Sequence, residues 1–168
     1  KGQQFEAGYR GDFTNLTTDY RVETGGVVNP NFTNTLEYKE KINAIYTQYG
    51  IKVNKLSMLF GLRFEDSNID INQLVTSDFN TKKYNNFFPS AFFTYELSDL
   101  SSTSISYSRR IQRPRGRMLN PFSNLSSNIN IFVGNPDLDP SFTDAIDWGY
   151  IKRWEKITLN TSLYVNKT

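Results

Sequence analysis

The segment ISYSRRIQRPRGRMLNPFSNLSSNINIFVGNPDLDP, residues 105–140, decides how the rest of the chain is read. It opens as a strand, with Ile105 and Tyr107 on one face and Ser104, Ser106 and Ser108 on the other. Then the alternation stops. Arg109, Arg110, Arg113, Arg115 and Arg117 crowd around Pro114. Asn120-Pro121, a Ser/Asn run and Gly134-Asn135-Pro136 follow. Proline lacks the ladder donor and glycine loses more entropy on ordering, so this density forbids both helix and sheet. Irregular segments of such length inside a fold are uncommon and usually carry function.

Working outward, the same period of two recurs. Phe5, Ala7, Tyr9, Gly11 and Phe13 alternate with polar residues over 3–13. Leu36, Tyr38, Ile42, Ala44 and Tyr46 share a face over 36–49. The helix formers of EYKEKINAIY compete there, but the Tyr, Thr and Ile content and the even-numbered pattern predict a strand. Gly50 marks a tight turn. Further strands are predicted over 53–65, 86–97, 103–111, 142–152 and 157–165, about seven in all. Between them, residues 14–35 and 67–83 read as long polar loops, and Ser98 to Ser102 and Arg153 to Glu155 as short turns.

Long and short connections in strict alternation, with strands of about ten residues, are what a transmembrane β-barrel requires. Composition agrees. The chain has 13 Phe and 10 Tyr yet a mean hydropathy of −0.54, which suits strands with one greasy and one wet face. Tyr46, Tyr49, Tyr95, Trp148, Tyr150 and Trp154 lie beside the short turns, where an interfacial girdle belongs. The facing that follows puts Phe60, Leu62, Trp148, Leu159 and Leu163 in lipid, with Leu159 placed near mid-bilayer. Arg63, Asn160 and Ser162 face the lumen. A soluble all-β ligand-binding module shares the alternation and is the rival reading.

Function classes narrow from absences. There is no Cys and no His, which removes disulfides, thiol catalysis, imidazole bases and the commonest zinc ligands. No carboxylate pair is framed by a catalytic motif, so no enzyme, cofactor or metal is expected. A net charge of +2 gives no reason to expect nucleic acid. Asp137, Asp139 and Asp144 offer oxygens to calcium, but Asn-Pro-Asp is ordinary turn chemistry.

Five stretches in order, LEYKEKINAIY, FGLRFE, SRRIQRP, LNPF and GNPDLDP, resemble TonB-dependent outer-membrane receptors of the Bacteroidetes type. The resemblance covers roughly residues 36–165. It implies an antiparallel barrel of about 22 strands, of which this chain is a fragment of seven, the plug domain being absent. It also implies a bacterial outer-membrane location and energised uptake of a siderophore, glycan or peptide. The partners implied are outer-membrane lipid or lipopolysaccharide, the remainder of barrel and plug, the TonB energy-coupling system and a surface lipoprotein. In the family, ligand contacts come from extracellular loops and the plug, so Arg113, Arg115, Arg117 and Asn120 become the ligand-binding candidates. Guanidinium forks match carboxylate and phosphate geometry. The competing role for the arginines is internal pairing with lumenal acids such as Glu65 or Glu96.

Two expectations of placement follow. Residues 113–140 lie outside the cell, opposite Arg153 to Lys156. Seven strands leave the first and the last with open edges that need neighbours.

Overall fold

The computed structural model describes residues 2–30, 33–75, 77–120 and 133–168. Seven strands form one antiparallel sheet in chain order: β1 (Gly2–Tyr20), β4 (Asn34–Val53), β5 (Leu56–Gln73), β6 (Asp78–Ser98), β7 (Ser101–Gln112), β8 (Ser141–Arg153) and β9 (Thr158–Lys167). A two-residue hairpin, β2 (Glu23–Thr24) with β3 (Val27–Val28), decorates the β1–β4 connection. One short helical turn, α1 (Gly116–Leu119), interrupts the arginine segment. The sheet does not close. β1 pairs only with β4 and β9 only with β8, so both carry open edges as expected.

Strand number and order agree with the sequence reading, but the strands are longer than their apolar patterns. Residues 14–20 continue β1, and 67–73 and 78–83 continue β5 and β6 to a tight turn over 74–77. The expected loops over 14–35 and 67–83 are thus largely ladder. The reason is physical. Backbone pairing needs only a neighbour, whereas the greasy/wet alternation marks lipid contact and ends where lipid ends. Gly50 likewise lies inside β4, and the chain turns after Val53 through Asn54 at φ 53°, a left-handed conformation asparagine tolerates. The β6–β7 ladder stops at Ser90–Ser108, beside Pro89, which has no donor to extend it. Four long strands therefore rise as a wall beyond the shorter β7–β9.

Register sorts the two faces row by row. One row joins Phe5, Tyr49, Phe60, Ala91, Tyr107, Ile146 and Val165, and the next Ala7, Thr47, Leu62 and Pro89. Tyr9, Ile45, Phe64 and Phe87 form the last apolar row; the row above is Gly11, Asn43, Asp66 and Asn85. This outer face carries large exposed apolar side chains, including Phe5 at 71% and Leu163 at 65%, as a lipid-facing surface must. From Leu56 to Phe64 the band spans about ten residues, the length a tilted strand needs. Tyr9 and Tyr107 close its upper edge, their hydroxyls donating to Asn43 (2.7 Å) and Asp144 (2.8 Å).

Phe60, Leu62, Trp148, Leu159 and Leu163 all fall on this outer face, and Arg63, Asn160 and Ser162 on the inner one. Two details differ from the sequence reading. Leu159 pairs with Lys152 beside the β8–β9 turn, so it sits at the edge of the band; Leu163, opposite Trp148, is nearer its middle. Tyr46 faces inward, not into a girdle. A methyl group at Gly8 would fall 2.6 Å from the Tyr46 ring, so glycine there makes room for it. Leu36, Tyr38, Ile42, Ala44 and Tyr46 do share a face, but it is the inner one. Ile45, Tyr49 and Val53 supply the outer side of β4.

Candidate functional site

Above the lipid band, the arginine segment leaves β7 and folds back over the inner face of the tall β4–β6 wall. Leu119, at the end of α1, is 2% exposed and packs with Leu36, Tyr38, Ile69 and Ile71, with Tyr84 and Leu138 at the margin. These six wall and loop residues make an apolar seat on an otherwise polar lumenal surface. Burying one leucine in such a seat is worth about 1.5–3 kcal/mol. The returning strand of the segment is tied to the outgoing one by backbone bonds, Gly134 N–H to Asn120 O (2.8 Å) and Asn135 N–H to Met118 O (2.7 Å). Glycine is needed at 134 because a side chain would strike the Met118 and Asn120 carbonyls. Residues 121–132, including Pro121, the rest of the LNPF stretch and Asn124, lie outside the described residues.

Polar contacts fix the same segment. Arg113 reaches down to Glu65 in a close ion pair, donates to Ser67 Oγ at 2.9 Å, and lies 3.9 Å from Glu40. Glu65 also meets Arg63 Nε at 2.8 Å, and Arg63 stacks its guanidinium over Phe88 at 4.8 Å. One carboxylate thus holds two arginines from different elements, in surroundings dry enough that Glu65 is only 7% exposed. Farther along, Lys82 Nζ donates to Leu138 O (3.0 Å) and pairs with Asp139 (3.2 Å), and Asn80 donates to Asp137 (3.1 Å). Burial lifts the Glu40 carboxyl above its ordinary range, with the Arg113 charge pulling the other way. Burial and the nearby Glu40 push the Tyr38 phenol up as well.

The sequence candidates separate accordingly. Arg113 is engaged with Glu65, one of the two lumenal acids named for internal pairing; the other, Glu96, pairs with Lys52 at 2.5 Å near the opposite end of the sheet. Arg115 and Arg117 are exposed on the rim, and Asn120 is half-buried beneath them. Asp137, Asp139 and Asp144 do not converge: Asn80, Lys82 and Tyr107 with Arg109 hold them separately. What the sequence missed is the seat itself. The signal was present in Ile69 and Ile71, which alternate inside a stretch too polar to read as a strand.

An outward apolar band, an inward polar wall and a loop folded over that wall are the parts of an outer-membrane barrel. The sequence profile of the outer membrane protein beta-barrel family matches residues 1–168. The chain belongs to this family. Its place is therefore the bacterial outer membrane. No curated protein matches it by sequence. Among solved structures, the ferric citrate transporter FecA in its unliganded form matches with TM-score 0.68 and 14% identity, over 96% of this chain and 24% of that one. The ferric yersiniabactin uptake receptor FyuA from Yersinia pestis gives TM-score 0.61 and 12% identity, over 98% and 25%. The alcaligin outer membrane receptor FauA from Bordetella pertussis gives 0.58 and 14%, over 98% and 30%. This member of the family thus spans between a quarter and a third of the length of these structures, and shares their barrel fold.

Proposed function

We propose that the chain forms part of the wall of a TonB-dependent receptor that imports a scarce nutrient across the outer membrane. The observation that supports this is the fold match over nearly the whole chain to barrels of solved uptake receptors. The remainder of the barrel and a plug supply the missing wall and the gate, and the TonB system supplies the energy. In this reading Arg115, Arg117 and Asn120 contact the nutrient at the rim, while Arg113 holds their loop in place through Glu65. A lipoprotein lid over the same rim is compatible with the exposed arginines. A soluble binding module would have to leave Phe5, Tyr9, Phe60, Leu62 and Leu163 in water on one continuous face.

The test is uptake by cells carrying the full-length protein. Labelled ferric siderophores, oligosaccharides and oligopeptides are offered with TonB present, with TonB deleted and with a proton uncoupler. Accumulation of one class, abolished by both treatments, is the expected result. Flux that survives both would make the barrel a passive pore and overturn the reading.

A further inference from the structure

The outer face just above the lipid band has a charge arrangement that uptake does not use. Two rows beyond the edge, register places Phe13, Lys41, Asn68 and Lys83 side by side across β1, β4, β5 and β6. Lys41 and Lys83 are both exposed and point to the side that faces lipid lower down. Their Cα atoms stand two strand spacings apart, about 10 Å, so two ammonium groups on flexible stems can converge over Asn68.

The acids on this face are already occupied by neutral donors. Asp70 accepts from Thr81 (2.8 Å) and Asn68 (3.5 Å), and Glu37 accepts from Asn72 (3.1 Å). Asp66, one row below, is flanked by Asn43 and Asn85. Among the described residues neither Lys41 nor Lys83 is within ion-pair distance of a carboxylate, although Asp70 lies on the row directly above. The Asn68 amide oxygen between them is shut off from solvent without a hydrogen-bond partner. An ammonium drawn inward by an anion would supply that missing donor.

We infer that Lys41 and Lys83, with Asn68 between them and Phe13 beside them, seat a phosphate of the glycolipid in the outer leaflet of the membrane. The height is right. Two rows of residues on a tilted strand rise about 10 Å above the last apolar row, into the headgroup layer, and lysine stems reach back toward it. The sequence reading offered lipopolysaccharide to the arginine cluster, but Arg113 faces the lumen and cannot meet the membrane surface. This inference rests on the outer-membrane placement and not on the uptake reading.

The experiment uses the full-length protein extracted from outer membranes in mild detergent. Tightly held lipopolysaccharide is counted by native mass spectrometry for wild type, for Lys41→Gln with Lys83→Gln, and for Lys156→Gln at the opposite end of the sheet. The double variant is expected to lose bound glycolipid about fivefold or more, with Lys156→Gln unchanged. A second arm compares thermal stabilisation by added lipid A with that by inorganic phosphate at equal phosphate concentration; only lipid A should act on wild type, and neither on the double variant. Heat-modifiable gel mobility verifies that each variant folds. Undiminished glycolipid in the double variant, equal loss in Lys156→Gln, or stabilisation by free phosphate alone would overturn the assignment.

Discussion

Arg113 shows how a residue chosen for one role is spent on another. Its partners Glu65 and Ser67 are 7% and 1% exposed, so the pair holds charge in dry surroundings. Removing one member of such a pair costs about 3–5 kcal/mol, because the survivor stays buried. Arg63 still neutralises Glu65 when Arg113 is lost, so we expect Arg113→Ala to fall near the low end. The Met118 amide, bonded to Arg115 O, should then exchange with solvent roughly 100-fold faster. Exchange unchanged from wild type would mean that Leu119 alone holds the loop. Glu40 adds a pH dependence of known sign. Burial raises its carboxyl, so it protonates more readily with the loop docked than with it released. Docking should strengthen as pH falls from about 7 to 5 toward that raised value, and the Glu40-dependent part should vanish in Glu40→Gln. A pH series of amide exchange over residues 116–119, corrected for intrinsic rates, reads both arms.

Strands and the loop carry the next set of consequences. The inner and outer faces of β9 differ by one residue, so neighbouring substitutions should behave in opposite ways. An arginine on the lipid face near mid-bilayer costs about 2–4 kcal/mol and little near the edge. Leu163→Arg, opposite Trp148, should therefore cripple assembly, whereas Ser162→Arg should fold and Leu159→Arg should be mild. Heat-modifiable mobility after outer-membrane insertion ranks the three; equal tolerance of Leu163→Arg and Ser162→Arg would void the facing. On the wall, Leu119→Ala should empty the seat between Tyr38, Ile69 and Ile71, at about 2–5 kcal/mol. Protease added to intact cells carrying the full-length protein should then cut the 113–140 segment faster than in wild type. A maleimide label at position 115 should react from outside, and one at 156 should not.

At the scale of the whole sheet, the open edges decide behaviour. β1 offers a row of unpaired backbone groups along Gly2–Tyr20 and β9 another along Thr158–Lys167. In hydrocarbon each unsatisfied group costs several kcal/mol, so neither edge is tolerable alone. Residues 1–168 refolded by themselves in detergent should associate through these edges and elute as oligomers. A monodisperse monomer with β1 and β9 paired would contradict the sheet order and leave a barrel too narrow to transport anything.

Alternation of Phe, Tyr, Leu and Ile with polar residues determined the seven strands, their order by short turns, and the side of each that meets lipid. Those features are local: a pleated strand puts every second side chain on one face, and lipid demands that face be apolar. The same rule could not follow β1, β4, β5 and β6 beyond the membrane. Both faces there are polar in sequence, and pairing is decided by a neighbouring strand rather than by the strand's own pattern. Nor could it place Arg113, since its partner Glu65 lies 48 residues away. Only tertiary packing brings the two together, when Leu119 finds its seat among side chains from three separate strands and segments.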